Sequence, residues 1–195
     1  IPYPRIKAVL QAIIHGFLYL AITVVCAVLA AYAMQRFAFP LRDRLLHETD
    51  LALGFDWLAY AHWVDRHLAV QRLLHFTYNT IQIQIVLPLL VLAIFNRIGE
   101  LRAYLLAFTL ALGATIVISA LLPAAGPIVF ANQASFHTLK FTGATPLDHL
   151  TQLREAGPLI FTQTPGGIAT FPSFHSTIAI LTPLSLRRHH RTFMA

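Results

Sequence analysis

HGFLYLAITVVCAVLAAYAM, residues 15–34, carries no acidic or basic side chain apart from its first histidine. Its reading decides the fold. A helix rises 1.5 Å per residue and needs about 20 apolar residues to cross a hydrocarbon core of about 30 Å. With the residues before it, the run over about 10–34 meets that length. A secretory signal has a shorter apolar centre and a small-residue cleavage site near its end. AAYA would serve as such a site, but the run is long enough to stay as a span. The composition agrees, with 57% hydrophobic and only 11% charged residues in a chain of 195, and a mean hydropathy of +0.66. Soluble proteins carry about 25% charged residues. The single cysteine, Cys26, lies inside the run, so there is no disulfide framework. It reads as a small buried hydrophobe.

Working outward, apolar runs recur over about 77–95 and 103–122, and a shorter one over about 173–186. The expected fold is therefore all-α: a polytopic membrane helix bundle of about four hydrophobic helices plus an interfacial amphipathic segment, one membrane domain over 1–195. GATIVISA, residues 113–120, offers small residues where helices can approach closely. The fourth run is short of a crossing. It is expected to begin below the membrane surface, continuing from a buried or re-entrant loop.

The net charge of +6 is not spread evenly. Arg5 and Lys7 precede the first run, Arg97, Glu100 and Arg102 separate the second from the third, and Arg187, Arg188 and Arg191 follow the last. These three sites carry all of the net charge, leaving segments 35–75 and 124–171 neutral. The positive-inside rule then puts the amino terminus on the cytoplasmic side and both long segments outside. A nucleic-acid surface needs its cations on one face, which this alternation denies. The chain begins with Ile1 and ends, at LRRHHRTFMA, where a cytoplasmic turn has just started. Further helices are expected after Ala195.

In the first outer segment, Trp57, Tyr60 and Trp63 recur every three residues. That spacing predicts a helical aromatic stripe at headgroup level, in an interfacial helix or two. A helical cap over the bundle is the plainer reading, and the two are compatible. His47, His62, His67 and His75 lack the close spacing of a metal site, and no metal or other cofactor is expected. His137 and His149 suit a pocket or an ordinary polar loop. Asp148 with His149 is a weak pair, because adjacent side chains rarely align for nucleophilic chemistry.

GGIATFPSFHSTIAI, residues 166–180, differs. Pro172 biases Phe171 to an extended backbone. Ser173 then suits a helix N-cap, with Phe174, His175 and Ser176 in the first turn. The free amides of that turn favour a phosphate, and an imidazole beside it can donate a proton to a leaving oxygen. Gly166 and Gly167 let the preceding backbone turn tightly beside a ligand. A capped helix start with an incidental histidine explains the same residues. LLPAAGP, residues 121–127, ends the third run. Pro123, Gly126 and Pro127 there either terminate a helix or, with Pro172, shape the mouth of a pocket.

FPSFH after Gly-Gly, with LLPAAGP closing an earlier span, resembles the membrane-bound type 2 phosphatidic acid phosphatase (PAP2) superfamily. The resemblance is closest to its branch of inositol phosphorylceramide synthases and inositolphosphotransferases. It takes in the GFDW stretch at Gly54–Trp57 and the order of spans. It implies metal-independent phosphoryl transfer at the outer or lumenal face. Ser173, Phe174 and Gly167 would bind the phosphate, and His175 would be catalytic, protonating the leaving alcohol. A second histidine, supported by an aspartate on a later helix, would attack phosphorus. The implied partners are membrane lipids and a lipid phosphate or phosphoinositide substrate, with no nucleic acid, in a membrane such as a bacterial inner membrane. Two departures stand out. The family's lysine followed by Arg-Pro has no match, and no residue here matches the later His…Asp element. The alternatives are a non-catalytic membrane structural or transport component, or an inactive truncated relative.

Overall fold

A computed structural model describes residues 3–139, 151, 154 and 170–187. Among these residues the regular structure is helical: α1 (Tyr3–Gln35), α2 (Asp43–Ala52), α3 (Trp57–Asp65), α4 (Leu68–Asn79), α5 (Ile81–Ile94), α6 (Ile98–Leu121) and α7 (Phe174–Leu186), with short 3-10 turns at Pro127–Phe130 and Gln133–Ser135. The fold is all-α. α1 and α6 are long and apolar enough to cross a membrane, and α4 with α5 forms a bent pair that makes a third if counted as one span. α7, with 13 residues, is shorter than a crossing requires. Among the described residues, two helices, or three with the bent pair, therefore have the length and composition of a span, against an expected bundle of about four hydrophobic helices.

The described chain divides into two packed sets of segments. One draws on 3–28, 77–114 and 174–187. Its core is Leu20 from α1, Leu89, Leu92 and Ala93 from α5, Leu101, Tyr104 and Phe108 from α6, and Ile178 from α7. Gly16 is buried, and a Cβ there would lie 2.8 Å from Leu89 Cδ1, so its missing side chain is what lets α1 close on α5. Close approach occurs at Gly16, and within residues 113–120 of α6 Thr115, Ser119 and Ala120 are buried. Gly113, in the small-residue stretch of α6, faces open space.

Pro88 sits inside α5. It has no amide hydrogen, so the Gln84 carbonyl four residues earlier loses its helical donor. The Thr182 hydroxyl of α7 donates to that carbonyl at 2.8 Å, and the Tyr104 hydroxyl of α6 donates to the next one, on Ile85, at 2.6 Å. The proline thus creates the polar anchor on which α7 docks. On α1 only 11% of the most apolar window is buried, leaving Ile14, Leu18, Ile22 and Val25 exposed. Cys26 is exposed on the same helix, contrary to the burial expected of it. One narrow face of α1 packs on protein, and Cys26 is not on it.

The other set draws on 29–76, 115–139 and 170–173. Gln35 at the end of α1 is buried and donates to the Ser119 carbonyl and hydroxyl of α6, each at 3.2 Å. α3 starts where Gly54 takes a positive φ of 81° and the Asp56 carboxylate accepts from the Ala59 amide at 3.0 Å, an N-cap. Tyr60 and Trp63 stack along α3 with centroids 6.2 Å apart, so these two residues of the expected stripe share a helix face.

Candidate functional site

The FPSFH stretch leads into α7. Ser173 directly precedes the helix, Phe174 opens it and His175 follows. The early amides of such a turn have no intrahelical acceptor, and they are the groups suited to an anion. The Phe174 ring meets Phe108 edge-on at 5.6 Å, so its side chain is an anchor in the apolar core and only its amide can serve a ligand. His175 is half-buried, and its imidazole lies flat on the Tyr78 ring, centroids 4.0 Å apart and planes within 10°. Gly166, Gly167, Asp148 and His149 lie outside the described residues.

The 121–127 loop is built around one carboxylate. The Arg42 amide donates to the Pro123 carbonyl at 2.8 Å, and Pro123 is fully buried. Asp43, the first residue of α2, then accepts from the Ala125 amide at 3.2 Å and the Gly126 amide at 2.8 Å. Gly126 holds a φ of 97°, a conformation that a Cβ disfavours. The Thr170 hydroxyl donates to the Ala124 carbonyl, fastening the chain just before Phe171 to the same loop.

Gly126 and Pro127 line a cavity of about 130 Å³ with Asp43, His47, Asp50, Phe130, Thr170 and Phe171. His47 stacks on Phe130 at 4.6 Å. Two carboxylates and no lysine or arginine stand among the described lining residues, an unfavourable setting for a phosphate. Of the four residues expected to shape a pocket, Gly126 and Pro127 line this one. Pro123 holds the loop, and Pro172 leads on to α7.

Of the histidines scattered through segment 35–75, His47, His62 and His67 are seen against aromatic rings. His62 stacks on Phe136 at 4.4 Å, and His67 packs on Trp63 while its Nδ1 lies 2.6 Å from the Trp63 carbonyl. His137 is exposed, and its backbone amide donates to Asp65. Asp65 is a buried carboxylate at the end of α3. It accepts from the amides of His137, Thr138 and Leu139 at 2.7–2.8 Å and from the Thr138 hydroxyl at 2.9 Å. The His137 amide contributes most to holding this carboxyl far below the usual range. Burial pushes the other way, and the Leu139 and Thr138 donors add to the lowering. Among the described residues, no three of His, Cys, Asp and Glu come together as a metal site would require.

Tyr78, Asp43 and Thr170 were not legible as site residues. Tyr78 sits in the last turn of α4, where YNT reads only as a helix end. Asp43 reads as a favourable acid in a helix first turn, with nothing to show that its oxygens reach a loop 83 residues away. Thr170 belongs to the same motif as His175, but nothing local announces its bond to the Ala124 carbonyl 46 residues away.

A sequence model of the family described as PAP2 superfamily matches residues 44–195, more than half of the chain. No curated protein and no solved structure matches it.

Proposed function

The chain belongs to the PAP2 superfamily, and from that premise we propose that it is an integral membrane lipid phosphatase or phosphotransferase. Its substrate is a lipid phosphate or phosphoinositide, and its mechanism uses histidine without a metal. The observation that carries the reading is His175 in the first turn of α7, directly after Ser173, its ring held on Tyr78. The Ser173 hydroxyl and the first-turn amides of Phe174 and His175 hold the phosphate oxygens, with Gly167 on the approach to the same turn. As the phosphorus–oxygen bond to the lipid breaks, the leaving oxygen takes a proton from the His175 imidazolium. Charge developing on the phosphoryl oxygens is met by the amides. The attacking group is a second histidine in the family pattern. It forms a phosphorus–nitrogen bond that water (hydrolysis) or an alcohol (transfer) later breaks. No residue of this sequence is matched to it.

The inositolphosphotransferase-like branch favours transfer, on the strength of LLPAAGP standing where the family's Arg-Pro signature would be. The cation distribution supports a cytoplasmic amino terminus and an outward-facing α7 start, in a bacterial inner membrane. The family match runs across residues of both packed sets, in keeping with a single family domain.

The test is His175→Ala in the full-length protein. Release of phosphate from a lipid phosphate is expected to stop while the protein stays folded in the membrane. Unchanged turnover overturns the reading in favour of a non-catalytic membrane protein. Activity that a chelator removes and a divalent ion restores contradicts the metal-free mechanism.

A further inference from the structure

We infer that Tyr78 is the positioning residue for His175, its ring setting the imidazole rotamer from which the proton is delivered. This rests on the catalytic reading of His175. The stack is close and parallel, at 4.0 Å and 10°. Tyr78 is 61% exposed, so core packing does not hold its ring there and the imidazole face is what it covers. An imidazole at a helix start has several staggered rotamers open to it. A ring against one face removes those that swing the nitrogens away.

Both partners are fastened through one residue, Gln84. Its side chain donates to the Thr80 hydroxyl at 2.9 Å and reaches the Thr77 carbonyl at 3.5 Å, while the Thr80 hydroxyl donates to the same Thr77 carbonyl at 2.7 Å. These bonds close the break between α4 and α5, next to Tyr78. The carbonyl of Gln84, freed by Pro88, accepts from Thr182. Thr182 stands seven residues after His175, two turns along the same face of α7. Side chain and carbonyl of a single residue therefore fix where the phenol and the imidazole meet.

The experiment measures phosphate release from a lipid phosphate by Tyr78→Leu and Tyr78→Phe in the full-length protein, with His175→Ala alongside. NMR of labelled histidine reports the ring. Tyr78→Leu is expected to lower kcat by about tenfold with KM within about twofold, because a misplaced catalytic group costs rate rather than binding. Tyr78→Phe is expected to restore kcat. The His175 ring protons should stand upfield in the wild type and in Tyr78→Phe, and move downfield in Tyr78→Leu. If His175→Ala is inactive but Tyr78→Leu turns over like the wild type, the positioning role falls and the catalytic one stands. If His175→Ala matches the wild type, both fall. An equal loss in Leu and Phe variants, or a histidine signal that never moves, also overturns the inference.

Discussion

The two packed sets of this chain solve the same problem with different chemistry. In the set built from 3–28, 77–114 and 174–187, contacts between fully buried side chains such as Phe108, Leu89 and Ile178 hold the helices, and polar bonds meet the carbonyls exposed around Pro88. In the set built from 29–76, 115–139 and 170–173, the loops are held by two carboxylates that collect backbone amides, Asp43 at residues 125–126 and Asp65 at 137–139. A helix satisfies its own backbone and leaves packing to its side chains. A loop leaves its amides open, and a buried amide without an acceptor costs about 1–3 kcal/mol. The lesson is that acids set among long apolar helices can serve the backbone. Here they do for loops what the helical ladder does for spans.

The largest effect that would break this contrast is expected from Phe108→Ala. Phe108 is wholly buried, and truncation should cost about 3–5 kcal/mol in reversible unfolding in detergent. A loss under about 1 kcal/mol would mean that packing does not dominate that set.

Asp65 supplies a pH-dependent test of the other set. Its carboxyl is lowered in the fold from an ordinary value of 3.8, so its contribution is complete above that pH and is lost as pH falls toward the folded value. Protection of the His137–Leu139 amides from hydrogen exchange, corrected for intrinsic rates, should be flat between about pH 5 and 7 and collapse under acid. Asp65→Asn should flatten that response. A collapse unaltered by the substitution would assign the acid sensitivity elsewhere.

The smallest effect is the most diagnostic of the helical set. Thr182→Val should cost about 1 kcal/mol by stranding the Gln84 carbonyl. In a Pro88→Ala background the cost should vanish, because an alanine at 88 restores the amide donor. Equal cost in both backgrounds would show that the bond is not a repair of the proline.

The helices were legible because apolar runs and Pro-Ser or Pro-Gly boundaries are local signals. α1 and α6 follow from their length, and the start of α7 from Pro172 and Ser173. The two loop-holding acids were not, since Asp65 finds its donors 72–74 residues away and nothing in WVD announces it. The place of His175 at a helix start was legible from its motif, while the Tyr78 ring it rests on belongs to another helix. The break at Thr80 was missed for a related reason. The run over 77–95 is apolar enough to read as one helix, and the side-chain bonds that close the break become visible only once Thr77, Thr80 and Gln84 are placed.

Proton donation by His175 is best tested by varying the leaving group. Phosphate release by the wild type and His175→Ala should be compared on an alkyl lipid phosphate and on an aryl phosphate ester, whose phenol departs without a proton. The expected result is a loss of about 10²–10⁴-fold on the alkyl substrate and a far smaller one on the aryl ester. Equal losses on both substrates, or none on either, would contradict a proton-donating His175.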